Sequence, residues 1–224
     1  MIQTKIQFNL RNAKQYFREH LGAGDYDSEG QKTEGEWLGS GAERLDLKGV
    51  VGEQAFMAFC EGKHPETGLR LGQRLNSVRQ EDDGVKANRR IFFDFTIAPP
   101  KSVSVIGLFQ DERILVPHDG AARRAMLLEL EMRAEARVRK SGQNTEPVTG
   151  NLVTACFRHE TSRELDPRLH THCVVMNATF DPVENRWKAL HPAGMYRAHR
   201  FGTNYFRHEL CKGLRALGVR VEPS

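Results

Sequence analysis

The stretch RHETSRELDPRLHTHCVV, Arg158 to Val175, decides how this chain reads. It gathers three of the nine histidines, His159, His170 and His172. They fall in two β-rich runs, NLVTACFRHE (151–160) and LHTHCVVMNATF (169–180), joined by a polar connection containing Asp166 and Pro167. Two such runs around a turn predict a hairpin. In an extended strand successive side chains alternate faces, so His170 and His172 project from one side roughly 6.6 Å apart while Thr171 points away. A hairpin brings His159 beside them as a third imidazole. Three nitrogen ligands and no carboxylate leave coordination positions open, the arrangement of a catalytic rather than a structural metal. The plainer alternative is that strand histidines only pack or hydrogen-bond; a His-x-His facing a third histidine on the adjoining strand favours the metal.

Outward from this hairpin the chain alternates strand and helix signals, with no repeat or low-complexity tract. In IQTKIQFN, Ile2, Ile6 and Phe8 lie near strand spacing, and Asn9 can cap a helix carrying Leu10, Ala13, Phe17 and Leu21 that Gly22 and Gly24 end. A Gly-rich connection, GEWLGSGAERLDLKG, leads to a short helical pattern in GEQAFMAFCEG, and a basic polar loop runs from His64 to Asn88. RIFFDFTIAPPKSVSVIGLF reads as a strand halted by Pro99 and Pro100, with a second apolar run after Lys101 in a turn. AARRAMLLELEMRAEARVRK predicts a long helix with Leu127, Leu130, Ala134 and Val138 on one stripe. A final amphipathic helix runs from about Met195 to Gly218, a C-cap. Together these elements predict a single α+β domain over residues 1–224, with a central antiparallel β-sheet and helices mainly on one face.

Composition excludes several classes. With 39% hydrophobic and 28% charged residues the chain is neither disordered nor fibrous. No apolar run approaches the roughly 20 residues needed to span a bilayer, and MIQTKIQFNLRNAK lacks the apolar core of a signal peptide, which points to the cytoplasm and away from a membrane. Cys60, Cys156, Cys173 and Cys211 form no Cys-x-x-Cys pair, which argues against a zinc ribbon or a disulfide framework and for reduced packing residues. A net charge of +4 permits an anionic partner without demanding one.

FRHETSRE followed by DPRLHTH stands in co-linear order with YFREH, GEWLGSGAERLDLKG, DFTIAPPKSVSV and TGNLVTACFRHETSRE. On these motifs, over essentially its whole length, the sequence resembles the HUH endonucleases, specifically the TrwC/TraI-type (MobF) conjugative relaxases. The resemblance implies a palm-like fold and a bacterial enzyme that nicks one DNA strand at a plasmid origin of transfer and stays joined to the 5′ phosphate through a tyrosine. It further implies Tyr16 as nucleophile, Tyr26 of GDYDSEG as the residue of a second strand transfer, Asp94 as an acid beside the metal, and His159, His170 and His172 as ligands. The implied cofactor is a divalent ion, Mg²⁺ or Mn²⁺ first, with Zn²⁺, Ni²⁺ or another first-row ion as alternatives. The implied partners are single-stranded and hairpin origin DNA together with relaxosome and coupling proteins, bound by a monomer that in this family can itself be transferred to the recipient cell. Where many relatives carry adjacent tyrosines, this chain has Tyr16-Phe17 and a lone Tyr26, and no G-x-x-x-x-G-K-[ST] loop appears, as expected of a nicking domain without its helicase.

The residue types suit such chemistry independently. A phenol with a pKa of about 10 needs help losing its proton, and a cation on a phosphate oxygen stabilises the charge that develops there. Each residue also has a plainer reading: Tyr16 as a core-edge residue of an amphipathic helix, Tyr26 as an exposed turn residue, and Asp94 as a buried acid paired with Arg90 or Arg158. Arg74, Arg79, Arg90, Lys101 and Arg163 are candidates for DNA phosphate, with Arg70 and Arg89 in the same basic region, and the bland alternative is a solvated loop. Three further functions remain open at this point: a rolling-circle replication initiator, a three-histidine hydrolase that activates water, and a non-catalytic DNA-binding module.

Overall fold

The computed structural model describes residues 1–18, 34–72, 78–81, 84–87, 89–140, 143–162, 164 and 166–222. In chain order the elements are β1 (Ile2–Gln7), α1 (Leu10–Tyr16), β2 (Glu36–Leu38), α2 (Ser40–Arg44), α3 (Glu53–Glu61), β3 (Val78–Glu81), β4 (Gly84–Ala87) and β5 (Phe92–Ile97). There follow α4 (Lys101–Phe109), α5 (Leu115–Arg124), β6 (Glu135–Ala136), β7 (Val138–Lys140), β8 (Gln143–Thr145), β9 (Thr154–Thr161) and β10 (Pro167–Met176). The chain closes with β11 (Thr179–Asp181), β12 (Arg186–Lys188), β13 (Leu190–His191) and α6 (Ala193–Ala216). The central sheet has five strands in the order β1-β5-β10-β9-β2, every described pairing antiparallel.

Strand alternation divides the interior in two. Ile2, Phe93, Phe95, Ile97, Cys173 and Val175 point to one face, where Ile114, Met126, Leu130, Met195, Phe206 and Leu210 close over them from the turn before α5, the continuation of α5 and α6. The other face carries Phe92, Phe157, Val174 and Met176, covered by Ala13, Tyr16 and Phe17 of the first helical segment and by Phe56 and Phe59 of α3. The longer helices thus occupy one face, as expected, while the short α1, α2 and α3 cover part of the other. Asn9 starts α1 as its side chain accepts from the backbone of Arg11 and Asn12, at 2.9 and 3.2 Å.

The GSG of the Gly-rich connection has a packing cause. Gly39 adopts φ +104°, and a Cβ there or on Gly41 would lie 2.5–2.6 Å from the carbonyl oxygen of Leu152, so only glycine lets this segment pass the start of β9. Buried Glu131 fastens the same contact, accepting from Ser40 N, Ser40 Oγ and Leu152 N at 2.7, 2.8 and 3.0 Å.

Three expectations need correction. The long helix expected over 121–140 begins earlier, at Leu115, and passes through a wider π-turn at Ala125–Leu130 to stop at Arg133; Ala134 is extended and Glu135–Ala136 pairs with Leu190–His191. Tertiary partners override helix propensity here, because Glu135 accepts from Arg197 at 2.6 Å and from Gly194 N at 3.2 Å, and faces His191 at 3.4 Å. Glu146 approaches the second nitrogen of His191 at 3.2 Å, so these side chains form a polar network at the start of α6. The basic loop from His64 to Asn88 contains the β3–β4 hairpin, whose polar sequence gives little strand signal. Lys101 opens α4 and does not sit in a turn.

His118 of α5 is buried against the back of the sheet, its Nε2 3.0 Å from Thr171 Oγ1. Burial first, and then the charge of Arg158, push its pKa from 6.5 down to about 3. The unfolded chain therefore binds the extra proton more readily, and His118 costs stability progressively as pH falls from 6.5 towards about 3. In urea denaturation, His118→Gln should lose stability less steeply than the wild type between neutral and mildly acidic pH, by up to about 1.4 kcal/mol per pH unit. Parallel pH profiles would refute the assignment.

Candidate active site

Strand register assembles the candidate residues on the face opposite α5 and α6. β1, β5, β10 and β9 align Lys5, Asp94, Val174 and Ala155 in one row, and Gln3, Thr96, His172 and Phe157 in the next. The row beyond pairs His170 directly with His159, after an irregularity in β10 between Pro167 and His170. The hairpin expectation is met: the rings of His159, His170 and His172 lie with centroids 5.0–5.4 Å apart. His172 Nδ1 lies 2.8 Å from Asp94 Oδ2, and His170 Nδ1 lies 2.7 Å from the carbonyl oxygen of Arg168. With Nδ1 donating to these oxygens, each ring keeps its Nε2 lone pair, which is the protonation state a metal ligand needs. The donor set fits a first-row divalent cation.

Tyr16 joins this cluster from α1. Its hydroxyl donates to Asp94 Oδ2 at 2.7 Å and lies 3.3 Å from His172 Nδ1. Two contacts hold α1 in place: the ring of Phe17 lies 4.4 Å from that of Phe56, and Lys14 Nζ meets Glu61 at 2.6 Å. Hydrogen bonds from Lys14 and then Lys63 bring the Glu61 carboxyl from 4.5 down to about 2. Asp94 is almost fully buried at 2% exposure. Burial alone would raise its pKa; the adjacent His172, the hydrogen bonds from His172 and Tyr16, and the charge of Lys5 outweigh burial and hold it below the usual carboxylate range.

The arginines offered as partners for Asp94 are engaged elsewhere. Arg158 pairs with Asp119 at 2.9 Å, and the Arg90 guanidinium lies 6.0 Å over the ring of Phe93, a side chain of the α6-bearing face. Lys101 is exposed on the first turn of α4. Arg79 falls within β3, where only the backbone is described, and Tyr26, Arg74 and Arg163 lie outside the described residues. Sequence reasoning missed Thr96, whose Oγ1 lies 3.3 Å from His172 Nδ1. Alternation in FFDFT could have found it, since Thr96 shares the face of Asp94.

The TrwC relaxase family model matches residues 10–224. Two Escherichia coli proteins described as multifunctional conjugation protein TraI, one of them from strain K12, are 40% and 37% identical over 155 residues, covering 69% of this chain. The chain spans only 8% of the length of these curated relatives. Among solved structures, the conjugative relaxase TrwC in complex with oriT DNA superposes over 100% of this chain and 73% of its own, with a TM-score of 0.80 in both a metal-bound form (32% identity) and a copper-bound form (33%). A TrwC complex with DNA comprising the recognition hairpin and the cleavage site gives a TM-score of 0.78 at 31% identity over 100% of this chain and 72% of that one.

Removing the carboxylate behind His172 should loosen a cation held by the three rings. Asp94→Asn should weaken Mn²⁺ binding about 10–100-fold in calorimetric titration. Affinity equal to that of the wild type would mean that Asp94 does not support the ligand set.

Proposed function

The chain belongs to the TrwC relaxase family, and we propose that it nicks one strand at a plasmid origin of transfer by tyrosine transesterification, the step that initiates conjugative DNA transfer. The observation that carries this reading is the 2.7 Å hydrogen bond from Tyr16 to Asp94, which in turn meets His172 at 2.8 Å. A phenol, a carboxylate and three imidazoles in this arrangement suit attack on a phosphodiester.

His159, His170 and His172 would hold a divalent cation, which supplies Lewis-acid stabilisation of charge on the phosphate. The proposed ion is Mg²⁺ or Mn²⁺, with Zn²⁺, Ni²⁺ or another first-row ion as alternatives, because imidazole ligands alone do not fix the choice. Asp94 fixes the His172 tautomer and orients the Tyr16 O–H. Because its carboxylate is held at a low pKa, it is a weak base, and the phenolic proton passes to solvent as the new bond forms. Tyr16 Oη bonds to phosphorus, the bond from phosphorus to the 3′ oxygen breaks, and that oxygen takes a proton from solvent. The 5′ phosphate remains on Tyr16. A phenol leaves more readily than a sugar alcohol, so a 3′ hydroxyl can reverse the step and rejoin DNA without ATP. Tyr26 would serve the second strand transfer, and the substrate is single-stranded and hairpin origin DNA. A water-activating hydrolase is the weaker reading, since Tyr16, already hydrogen-bonded beside the histidines, occupies the place of a nucleophile.

Incubation with labelled single-stranded origin DNA and Mg²⁺ or Mn²⁺ should yield a denaturant-resistant protein–DNA adduct, abolished by EDTA. Tyr16→Phe should remove most of it, and Tyr16→Phe with Tyr26→Phe all of it. An undiminished adduct in the double variant would overturn the nucleophile assignment, and cleavage by the wild type without any adduct would favour the hydrolase.

A further inference from the structure

Lys5 stands beside the proposed nucleophile, and among the described residues it makes no ion pair. It lies on β1, opposite Asp94 in the register with β5. Strand alternation puts Gln3, Lys5 and Gln7 on the face shared by Asp94, Thr96 and the histidines. Its ammonium lies 5.5 Å from the ring centroid of Tyr16. The Tyr16 ring is buried, whereas Lys5 is exposed.

The surrounding carboxylates do not claim this lysine. Among the described residues Lys14 and Lys63 pair with Glu61, Lys48 with Asp46, and Lys188 with Asp181 and Glu184, while none brings a carboxylate within ion-pair distance of Lys5. Asp94 instead takes its hydrogen bonds from Tyr16 and His172 through Oδ2. A cation–π contact at an exposed site is weak, so it orients the ammonium without tying it down. The Tyr16 hydroxyl is engaged by Asp94 and His172, and the edge strand β1 carries the exposed Lys5 beside its ring.

We infer that Lys5 binds a backbone phosphate of the single DNA strand entering the Tyr16 site, with Gln3 and Gln7 lining the same path. This inference rests on the nicking function proposed above. A lysine suits the role because its ammonium is a compact charge on a flexible stem, able to follow a phosphate without imposing bidentate geometry. The contact holds the strand while Tyr16 attacks, so its loss weakens substrate binding more than turnover.

The probe is fluorescently labelled oligo(dT), with binding to the intact chain measured by anisotropy across a range of salt concentrations. One lost phosphate contact to a single strand should lower the slope of log K against log salt by about 0.7, which is about a fivefold weaker affinity near 0.1 M salt. Lys5→Gln should show both effects and Lys5→Arg should restore both, with thermal melting of both variants unchanged. In cleavage of origin DNA, Lys5→Gln should raise KM by a similar factor and leave kcat nearly intact. Wild-type affinity and slope in Lys5→Gln would overturn the inference, as would equal losses in Gln and Arg variants accompanied by lower melting temperatures, which would make Lys5 a packing residue. Normal salt-dependent binding by a wild type that forms no adduct with origin DNA would sink the nicking function and leave the Lys5 contact standing.

Discussion

Everything on the candidate catalytic face depends on the antiparallel register of β10 between β5 and β9. Asp94 and Thr96 come from one neighbour and His159 from the other, while His170 and His172 lie on the strand between them. A slip of one residue would turn the histidines to the opposite face, towards Phe93, Phe95 and Ile97. The register is held from both sides by apolar residues that alternate with the functional ones: Phe93, Phe95 and Ile97 face one core, and Phe92 the other. The same hydrophobic pattern that closes the two interiors therefore fixes where imidazoles and carboxylate meet. Stability and chemistry share one specification.

Bringing the phenol to that cluster is a separate task, performed by a short helix. α1 is too brief to persist on its own, so its position comes from what it packs against. The Phe17–Phe56 ring contact and the Lys14–Glu61 ion pair join it to α3, and Tyr16 itself rests 6.0 Å from Phe92. The proposed nucleophile is thus positioned by residues from three elements far apart in sequence.

That division explains what could be read in advance. Period-two alternation is local, so RHETSRELDPRLHTHCVV disclosed the hairpin and the shared face of His170 and His172, and the polar Asp94 interrupting an apolar strand stood out for the same reason. The Asn9 cap was equally local. Lys14 meeting Glu61 and Glu131 holding Ser40 join residues 47 and 91 positions apart, and no spacing rule signals them. The helix expected to run on past Arg133 stops there because Glu135 finds Arg197 and Gly194 in three dimensions, contacts that outweigh an otherwise regular stripe. The β3–β4 hairpin escaped notice because its residues alternate no apolar face.

Asp94 offers one oxygen, Oδ2, to two donors, the Tyr16 hydroxyl and the His172 ring. Were the phenol oxygen esterified, it would have no hydrogen left to give, and among the described residues the imidazole would remain as the donor to that acceptor. On the proposed reaction, the resting and DNA-linked forms would differ in the electronic surroundings of that ring nitrogen, which would make the magnetic resonance signal of His172 Nδ1 an internal reporter of whether the tyrosine is carrying its cargo.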